Sequence, residues 1–465
     1  MNTLNKTLKD SAVRRWSILL LIAFVQAANY YFYDAISPLK RTLETEFGFM
    51  SSDFGLFVSF YSIPNTFLLM AVLGGIILDK LGIRRTGFMF VGMMTAGGIV
   101  TAYGASTFYT SGGPFYGLMD SFWPNYSPEL KMMLLGRFLF GLGAETSIVV
   151  VSKTIVKWFK GKELALAFGT KIGIARLGSF AALYFSYDIS QIASHWTVAI
   201  WFAAILLCIA FLAFAVYSIF DKKLDRQIEQ GSLLSKKDEF KASDLKRLFT
   251  NRSFIYVSLL CLTFYSAVFP FQSFAPDFFL NKFNMDQQMS GRIASLLSVG
   301  TLVFTPFFGW LVDRIGRSAT FMIFGSLLIV IVHLVFAFTM VPAWLPMMFL
   351  GVAFSLVPAA MWPAVAKIVS EKRIGTAYGA MFSLQNLGLW AFPLLIGIIL
   401  DKTNPGITAE ILASGEYRLD YTWAILMLAG LGILGLLFAF LLKREDKVSG
   451  YGLELPSNVK AEKSE

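Results

Sequence analysis

Two residues of opposite charge, Glu145 and Arg176, lie within long apolar stretches of this 465-residue chain. Burying a charged side chain in a lipid bilayer is costly, so an ionisable residue inside a membrane-spanning helix is a functional-site candidate. A carboxylate can accept hydrogen bonds from an ammonium group, and a planar guanidinium can bind a carboxylate through two parallel hydrogen bonds. The pair therefore predicts a site that holds both ends of a small zwitterion.

The helices that carry this pair determine its depth in the membrane. Glu145 is about fourteen residues into a predicted span that begins near Lys131, and Arg176 is about thirteen residues into the next, which begins near Glu163. Because a helix crosses the hydrocarbon core in about 20 residues, both charges are expected near its centre. Two interpretations stay open: a structural salt bridge between the two helices, and a substrate site. They are not exclusive, because the two charges could pair when the site is empty and part when substrate arrives.

The composition is that of a multi-pass membrane protein. Hydrophobic residues make up 56% of the chain and charged residues 15%, proportions unlike those of soluble globular domains. Twelve apolar segments are long enough to span a bilayer. They are residues 16–36, 54–78, 86–109, 131–156, 163–187, 195–220, 253–280, 289–311, 318–340, 343–369, 374–400 and 420–442.

The placement of charge predicts the orientation of these spans. If the N-terminus is cytoplasmic, most lysine and arginine residues fall in cytoplasmic segments, which is the positive-inside bias and puts both termini in the cytoplasm. The net charge of +10 thus indicates a membrane and not nucleic acid. Cys208 and Cys261 both fall within predicted spans, so no disulfide framework is expected. We expect no metal, no cofactor and no enzymatic activity, because no nucleophile or ligand cluster is apparent.

A polar stretch separates six spans from six. It predicts four regions: an N-terminal six-helix bundle (1–220), a cytoplasmic linker (221–252), a C-terminal six-helix bundle (253–445) and a disordered cytoplasmic tail (446–465).

An internal repeat relates the two halves. Residues 75–85 follow the second span and residues 309–317 follow the eighth, with glycine, aspartate and glycine at identical spacing. Such a parallel repeat of six spans is the major facilitator arrangement. Glycine allows close helix packing, and the charges can bond to a neighbouring helix, so the element is interpreted as a gate. The predicted gating residues are Asp79, Lys80, Arg84, Asp313, Arg314 and Arg317, with Asp34 as either an outer-gate partner or an interfacial cap.

Further polar and aromatic residues fall near mid-depth. Candidate substrate contacts, for which core packing is the alternative, are Tyr30, Asn65, Tyr265, Gln385, Asn386 and Trp390. Arg137 and Lys171 are possible coupling residues. For Arg137 a packing role is the alternative. Lys171 is expected on a different face of its helix from Arg176, with its ammonium group extended towards the cytoplasm.

Several short strings carry a family resemblance. They are Tyr33-Asp34, residues 158–164 with 175–178, residues 268–271, and residues 375–379 through 385–388. These strings resemble one branch of the major facilitator superfamily, that of major facilitator superfamily domain-containing protein 1, whose members are lysosomal dipeptide uniporters. The likeness runs from the first span to the eleventh. The resemblance implies twelve helices in two six-helix bundles with pseudo-twofold symmetry. It also implies that Glu145 binds the amino end of a peptide and Arg176 its carboxylate.

The chain departs from this branch at two points. Lys171 occupies a position that looks neutral in the family, and residues 1–15 contain no acidic-dileucine sorting motif. The second point indicates a bacterial-type member in the plasma membrane, with a lysosomal location expected only for a eukaryotic protein. We therefore expect a monomeric carrier of dipeptides or similar zwitterions, working by rocker-switch alternating access as a uniporter or with protons. No accessory subunit is implied. The alternative is a carrier for another small solute, such as an organic anion, a sugar or a drug.

Overall fold

The computed structural model describes residues 8–159, 161–193, 195–229, 248–370, 373–415 and 417–456. Within these ranges the protein is helical, and eleven helices are long and apolar enough to cross a membrane. The main helices are α1 (Ala12–Asp34), α2 (Ser51–Phe60), α3 (Ile63–Phe67), α4 (Met70–Gly104), α5 (Pro128–Phe159), α6 (Leu164–Ser190), α7 (Val198–Glu229), α8 (Arg252–Phe283), α9 (Gln287–Ile315), α10 (Ser318–Phe338), α11 (Trp344–Ile368), α12 (Ile374–Thr403) and α13 (Thr422–Ser449).

The second predicted span is not one continuous helix. Its residues form α2, α3 and the first part of α4. Pro64 lies in the first turn of α3, and Leu69 before α4 has a left-handed φ of 51°. Proline disfavours helical geometry in the residue before it and lacks an N–H group, so the helix is interrupted here. The fourth and fifth predicted spans correspond to α5 and α6.

Both copies of the repeated element make their turn at the second glycine. Gly82 has φ 78° and interrupts α4, and Gly316 has φ 74° and follows α9. A residue with a Cβ atom rarely adopts such angles, which explains the glycine at both positions. By contrast, the first glycines of the element, Gly75 and Gly309, have no atom within 4 Å of the position of a Cβ. No close packing uses these two glycines in this conformation.

The N-terminal half (α1–α7) and the C-terminal half (α8–α13) meet mainly through α2 with α12 and α6 with α9. A Cβ atom on Gly55 would lie 2.4 Å from the carbonyl oxygen of Pro393, and one on Gly397 would lie 2.3 Å from that of Ser51. These distances are shorter than van der Waals contact, so only glycine permits α2 and α12 to approach this closely.

A buried group of charges lies near the start of α2 and closes the molecule at that end. We call Lys40, Glu44, Ser51, Asp277 and Tyr421 the Lys40 cluster. The ammonium nitrogen of Lys40 lies 2.5 Å from Glu44 and 2.9 Å from Asp277 of α8, with all three side chains 0–1% exposed. Ser51 bonds to both Lys40 and Glu44, and Tyr421 donates to Asp277. The cluster therefore joins the two halves through the fully desolvated Lys40–Asp277 ion pair.

A second contact at the same end uses a helix terminus. The backbone N–H groups of Ser51 and Ser52, at the start of α2, donate to the carboxylate of Asp401 on α12 at 3.0 and 2.9 Å. A carboxylate stabilises the N-terminus of a helix by satisfying its free N–H groups and by favourable interaction with the helix dipole. This end is thus held shut by ion pairs, a helix cap and glycine packing.

The segment after α13 is folded against the gate element of the C-terminal half. We call residues 450–456 the C-terminal strap. The backbone N–H groups of Arg317 and Ser318 donate to the carbonyls of Glu454 and Leu453. The Glu454 carboxylate accepts from the N–H and hydroxyl of Thr320, at 2.9 and 2.6 Å. Leu453 is fully buried. The prediction of disorder from residue 446 is therefore wrong as far as residue 456, because the strap satisfies the free N–H groups of α10.

The remaining predicted boundaries are only partly covered. Helix α7 continues through residue 229, so the predicted linker starts as helix. Residues 230–247 and 457–465 lie outside the described residues.

Candidate substrate site

A cavity of about 880 Å³ lies between the two halves. It runs from Tyr30, Glu145 and Arg176 in the middle of the bundle to Asp79 and Thr376 at the end opposite the Lys40 cluster. We call that opposite end the Asp79 end. The Asp79 side chain there is 58% exposed. The molecule is therefore open at the Asp79 end and closed at the Lys40 cluster.

Glu145 projects from α5 into the cavity, where it accepts a hydrogen bond of 2.7 Å from the hydroxyl of Tyr61. Tyr61 lies in the break between α2 and α3, so the interruption of the second span places this donor. Lys171 of α6 is an electrostatic partner of the same carboxylate. A carboxylate has two oxygens, and the other one is left to receive a cationic group from a ligand.

Arg176 projects from α6 into the same cavity among aromatic rings of both halves. Its guanidinium carbon lies 5.3 Å from the ring centre of Tyr30, 5.0 Å from Phe354 and 5.9 Å from Phe269. Aromatic faces attract a guanidinium without using its N–H donors, and they keep it in a fixed orientation. The donor fork is therefore held ready for a carboxylate.

Glu145 and Arg176 share one cavity but are not paired. No ion pair joins them within the described ranges of the chain, and each is held instead by the neighbours named above. This geometry differs from the structural salt bridge that the sequence left open. The two charges stand apart as separate contact points for a ligand that carries both signs.

The lining residues that carry a charge at neutral pH all belong to the N-terminal half. They are Asp79, Glu145, Lys171 and Arg176. The wall from the C-terminal half is neutral and includes five aromatic residues. Tyr265 accepts a hydrogen bond of 3.1 Å from Trp362, and the Trp362 ring stacks on Phe382 at 4.8 Å. One half thus offers charges to the ends of a ligand, and the other offers apolar surface to its body.

The structure brings together five of the eight predicted substrate contacts. Tyr30, Glu145, Arg176, Tyr265 and Gln385 line the cavity.

The other three predicted contacts lie outside the cavity lining. Asn65 is fully buried, and both of its amide atoms lack a partner among the described residues. Asn386 donates back to the carbonyl of Phe382 in its own helix, at 3.0 Å. Trp390 packs on Phe67, with ring centres 5.1 Å apart. Helix rotation explains the difference for the last two, since residues adjacent in sequence to Gln385 or a turn beyond it face other helices.

Arg137 is buried among residues of the N-terminal half in this conformation. It is 1% exposed, and its guanidinium donates to the carbonyls of Phe32 and Tyr33 near the end of α1, the second at 3.0 Å. Five rings surround it within 6.0 Å, including Phe57 and Phe140. A cation is favourable at a helix C-terminus, where carbonyl groups are unsatisfied.

Asp34, the last residue of α1, is 1% exposed and so is not an interfacial cap. It interacts electrostatically with Arg137 and Arg176, and its polar neighbours Ser179 and Gln272 come from different halves. The alternative, that Asp34 is an outer-gate partner, stays a prediction, and its neighbours in both halves agree with it.

Lys171 does not extend to the cytoplasm, and the expectation that it does is wrong. It is 8% exposed, lines the cavity and donates to the hydroxyl of Ser152 at 3.4 Å. Helix α6 contributes Lys171, Ile172, Ala175 and Arg176 to the wall. The cavity thus covers a face about 140° wide on this helix, so residues five apart both reach it.

Two of the predicted gating residues, Asp79 and Arg84, form ion pairs within the N-terminal half in this conformation. Asp79 lies 2.5 Å from Lys153 of α5, and Arg84 pairs with Asp221 and Asp225 of α7. Lys80 and Arg317 are exposed, and Arg314 stacks over Trp310. Asp313 is also exposed and has a bonded neighbour. The open Asp79 end explains why these contacts do not cross between the halves.

The sequence reasoning missed the Lys40 cluster, together with Tyr61, Gln26, Phe354 and Trp362 in or beside the cavity. Asp277 could have been identified from the sequence as a candidate functional residue. It is an ionisable residue within the apolar segment 253–280, so the rule that singled out Glu145 applies to it equally. Tyr61 carried no such signal, because its role depends on a helix break that periodicity does not reveal.

Comparisons with known proteins agree with this architecture. The family model described as Major Facilitator Superfamily matches residues 19–393 and 270–459. The mouse protein named lysosomal dipeptide transporter MFSD1 is 32% identical over 400 residues, which cover 83% of this chain and 80% of that protein. Its human counterpart is 31% identical over the same shares.

Solved transporter structures share the fold. The nucleoside transporter NupG superposes with a TM-score of 0.66, covering 92% of this chain and 99% of that one at 16% identity. The xylose transporter XylE from E. coli, in an inward open conformation, has a TM-score of 0.66 at 15% identity, covering 92% and 96%. With two helical halves around a central cavity and these matches along most of its length, the chain belongs to the major facilitator superfamily of membrane transporters.

Proposed function

We propose that this protein carries dipeptides, or similar small zwitterionic peptides and amino-acid derivatives, across the membrane by rocker-switch alternating access. The observation that carries the proposal is the separated pair Glu145 and Arg176 in one cavity. Glu145 would receive the ammonium group of the peptide beside Tyr61. Arg176 would receive its carboxylate through two parallel hydrogen bonds.

Three features support a peptide over a single amino acid or a sugar. The cavity volume of about 880 Å³ exceeds what one small amino acid fills. The aromatic wall of Tyr265, Phe354 and Trp362 suits varied side chains, because apolar surface accepts many shapes. Relatives that are 31–32% identical are named dipeptide transporters.

The distribution of basic residues indicates which side of the membrane the open end faces. The Asp79 end carries the basic loops, so we propose that it faces the cytoplasm, as do both termini. The structure would then represent the inward-facing state of a plasma-membrane protein of bacterial type. Rotation of the two halves about the central site would open the Lys40 cluster and close the Asp79 end.

A small organic anion is the second candidate substrate. Two cations, Lys171 and Arg176, line the cavity, and a Bacillus subtilis protein named as a probable galactarate/D-glucarate transporter is 23% identical over 84% of this chain. Glu145 argues against it, since a site for anions alone gains nothing from a carboxylate.

Uptake by the purified protein in proteoliposomes tests the proposal. Free dipeptides should enter, whereas blocking either terminus removes one charge-assisted contact of about 1.5–3 kcal/mol, roughly a tenfold to hundredfold loss of affinity. A run with and without a pH gradient distinguishes uniport from proton-linked transport. If N-acetylated dipeptides enter as well as free ones, Glu145 is not the ammonium partner.

Variants of the pair separate recognition from structure. Glu145→Gln and Arg176→Lys should each fold and reach the membrane yet lose dipeptide uptake. The double variant Glu145→Gln/Arg176→Gln strands no charge, so under a purely structural role both stability and uptake would recover. Normal dipeptide uptake by the double variant, at matched protein amounts, contradicts the proposed site.

A further inference from the structure

The charges that line the cavity do not balance. Glu145 supplies one negative charge, while Lys171 and Arg176 supply two positive charges. Asp79, the other carboxylate among the described lining residues, is paired with Lys153 at 2.5 Å. Behind the wall, Asp34 and Arg137 are close neighbours of opposite sign, so together they add nothing. Among the described residues the binding space therefore has an excess of one positive charge.

This excess does not suit a dipeptide with uncharged side chains. Such a ligand is a neutral zwitterion, and it would occupy Glu145 and Arg176 while bringing no carboxylate to the ammonium group of Lys171. Lys171 is 8% exposed, and its one hydrogen bond among the described residues is a long one of 3.4 Å to Ser152. A buried cation is stabilised when an opposite charge reaches it. A ligand with one additional carboxylate would supply that charge.

The spacing of the two cations fits such a ligand. Lys171 and Arg176 are five residues apart on α6, which is about 7.5 Å along the helix axis. An extended dipeptide spans about 7 Å, so a side-chain carboxylate and the C-terminal carboxylate of one peptide can be separated by a comparable distance. Lys171 is also nearer than Arg176 to the open Asp79 end, and the opposite wall offers no competing charge because its residues are neutral.

We propose that Lys171 determines specificity by binding the side-chain carboxylate of the substrate, so that the carrier prefers dipeptides containing aspartate or glutamate. This inference rests on the proposed dipeptide transport and names its substrate class. Glu145 and Arg176 hold the two termini, and Lys171 holds the third charge.

The alternative role for Lys171 is structural, as a counter-charge for Glu145. The two roles differ in what they do to selectivity. Loss of a structural counter-charge alters the binding of every dipeptide through Glu145, by a similar factor for each. Loss of a specificity contact alters the ratio between acidic and neutral dipeptides and leaves neutral ones little changed.

Competition against uptake of a labelled dipeptide in proteoliposomes measures this ratio. The competitors are Ala-Ala, Ala-Glu, Glu-Ala and Ala-Lys. In the wild type we expect the better acidic peptide to compete about tenfold more strongly than Ala-Ala, and Ala-Lys to compete least. Lys171→Gln should bring acidic and neutral peptides within about twofold, and Lys171→Arg, which keeps the charge, should retain the preference. Lys222→Gln removes an exposed charge outside the cavity and should leave the ratio unchanged.

Two different failures are distinguishable. If the wild type takes up no dipeptide, the proposed function is wrong and this inference falls with it. If dipeptides are taken up but Ala-Glu and Glu-Ala compete no better than Ala-Ala, the inference is overturned and dipeptide transport stands. The same holds if the acidic preference survives in Lys171→Gln. Because the wild-type panel and Lys171→Arg are independent of Lys171→Gln, poor folding of that variant does not prevent the test.

Discussion

At the scale of single residues, the central site depends on side chains that orient the charges as well as on the charges themselves. Tyr61 donates to one oxygen of Glu145, and the rings of Tyr30 and Phe354 flank Arg176. Tyr61 is uncharged and does not neutralise Glu145, and the two rings do not neutralise Arg176. Orientation without neutralisation lowers the entropic cost of binding while leaving the ligand a full opposite charge to meet.

Tyr61→Phe tests this role of the tyrosine. The change removes the hydrogen bond to Glu145 and little volume, so we expect dipeptide affinity to fall by about 0.5–1.5 kcal/mol, roughly two- to tenfold, without loss of folded protein. Competition binding on the reconstituted protein measures it. Tyr31→Phe is the matched control, because its hydroxyl makes a 3.5 Å contact with Ser186 outside the cavity lining. Equal effects of the two changes would show that Tyr61 has no special part in binding.

Arg137→Lys tests the packing role of the buried arginine. A lysine has no planar fork to reach both carbonyls at the end of α1, so one charge-assisted bond is lost, at a cost of about 1.5–3 kcal/mol in stability. We expect a lower unfolding temperature in detergent, with uptake per folded molecule retained. Arg226→Lys, at an exposed position, is the control. Normal stability with loss of proton-linked uptake would instead assign Arg137 to coupling.

At the scale of elements, the closed end depends on the packing of α2 against α12. The Cβ atom of Gly55→Ala would overlap the backbone of Pro393, so closure of this end should cost about 1–3 kcal/mol more. The population should then shift towards the state in which the Asp79 end closes. Gly430→Ala is the control, because no atom lies within 4 Å of its Cβ position.

Labelling measures that shift. In a background without Cys208 and Cys261, a cysteine replacing Gly75 reports on the cavity at the Asp79 end. We expect Gly55→Ala to slow its reaction with a bulky maleimide severalfold, and Gly430→Ala to leave the rate unchanged. An unchanged rate in Gly55→Ala would mean that the close approach of α2 and α12 does not limit closure.

The elements also show where sequence reasoning works and where it does not. Long apolar segments predict spans because the bilayer imposes one length on every helix, and the paired gate glycines, Gly82 and Gly316, indicate two similar halves before any coordinates exist. The break at Pro64 was missed because a proline at the start of a new helix and one inside a helix look alike in a single sequence. Depth along a helix can be counted, which placed Glu145 and Arg176. The rotation of a helix about its axis is harder to predict from the sequence, so the predicted orientations of Asn386 and Lys171 were wrong.

At the scale of the whole molecule, the two ends are built on different principles. The Lys40 cluster end is shut by the desolvated Lys40–Asp277 ion pair, which crosses between the halves, whereas Asp79 and Arg84 at the Asp79 end form ion pairs within the N-terminal half. Breaking a fully buried ion pair is far more costly than breaking an exposed one. The empty carrier is therefore expected to rest in the conformation described here.

The orientation of the whole protein is tested by labelling from each side of the membrane. Leu81 and Ile315 flank the two gate glycines and are 44% and 42% exposed, so cysteines there avoid the strain of replacing a glycine with positive φ. We expect an impermeant maleimide to label both in inside-out vesicles and neither in intact cells. A cysteine at the exposed Lys402 should show the reverse. Labelling of position 81 or 315 in intact cells contradicts a cytoplasmic Asp79 end.

The C-terminal strap has a practical consequence for reporter fusions. A fluorescent protein joined after Ser449 would replace the strap. The start of α10 would lose its bonds to the Glu454 carboxylate, and Lys367 would lose the carbonyls of Gly452 and Leu455. We expect such a fusion to show more aggregation in fluorescence-detected chromatography. The lower stability would result from the truncation and would not be a property of the intact transporter. Joining the reporter after Pro456 keeps every one of these bonds, so expression screens and detergent trials should use that junction or a later one.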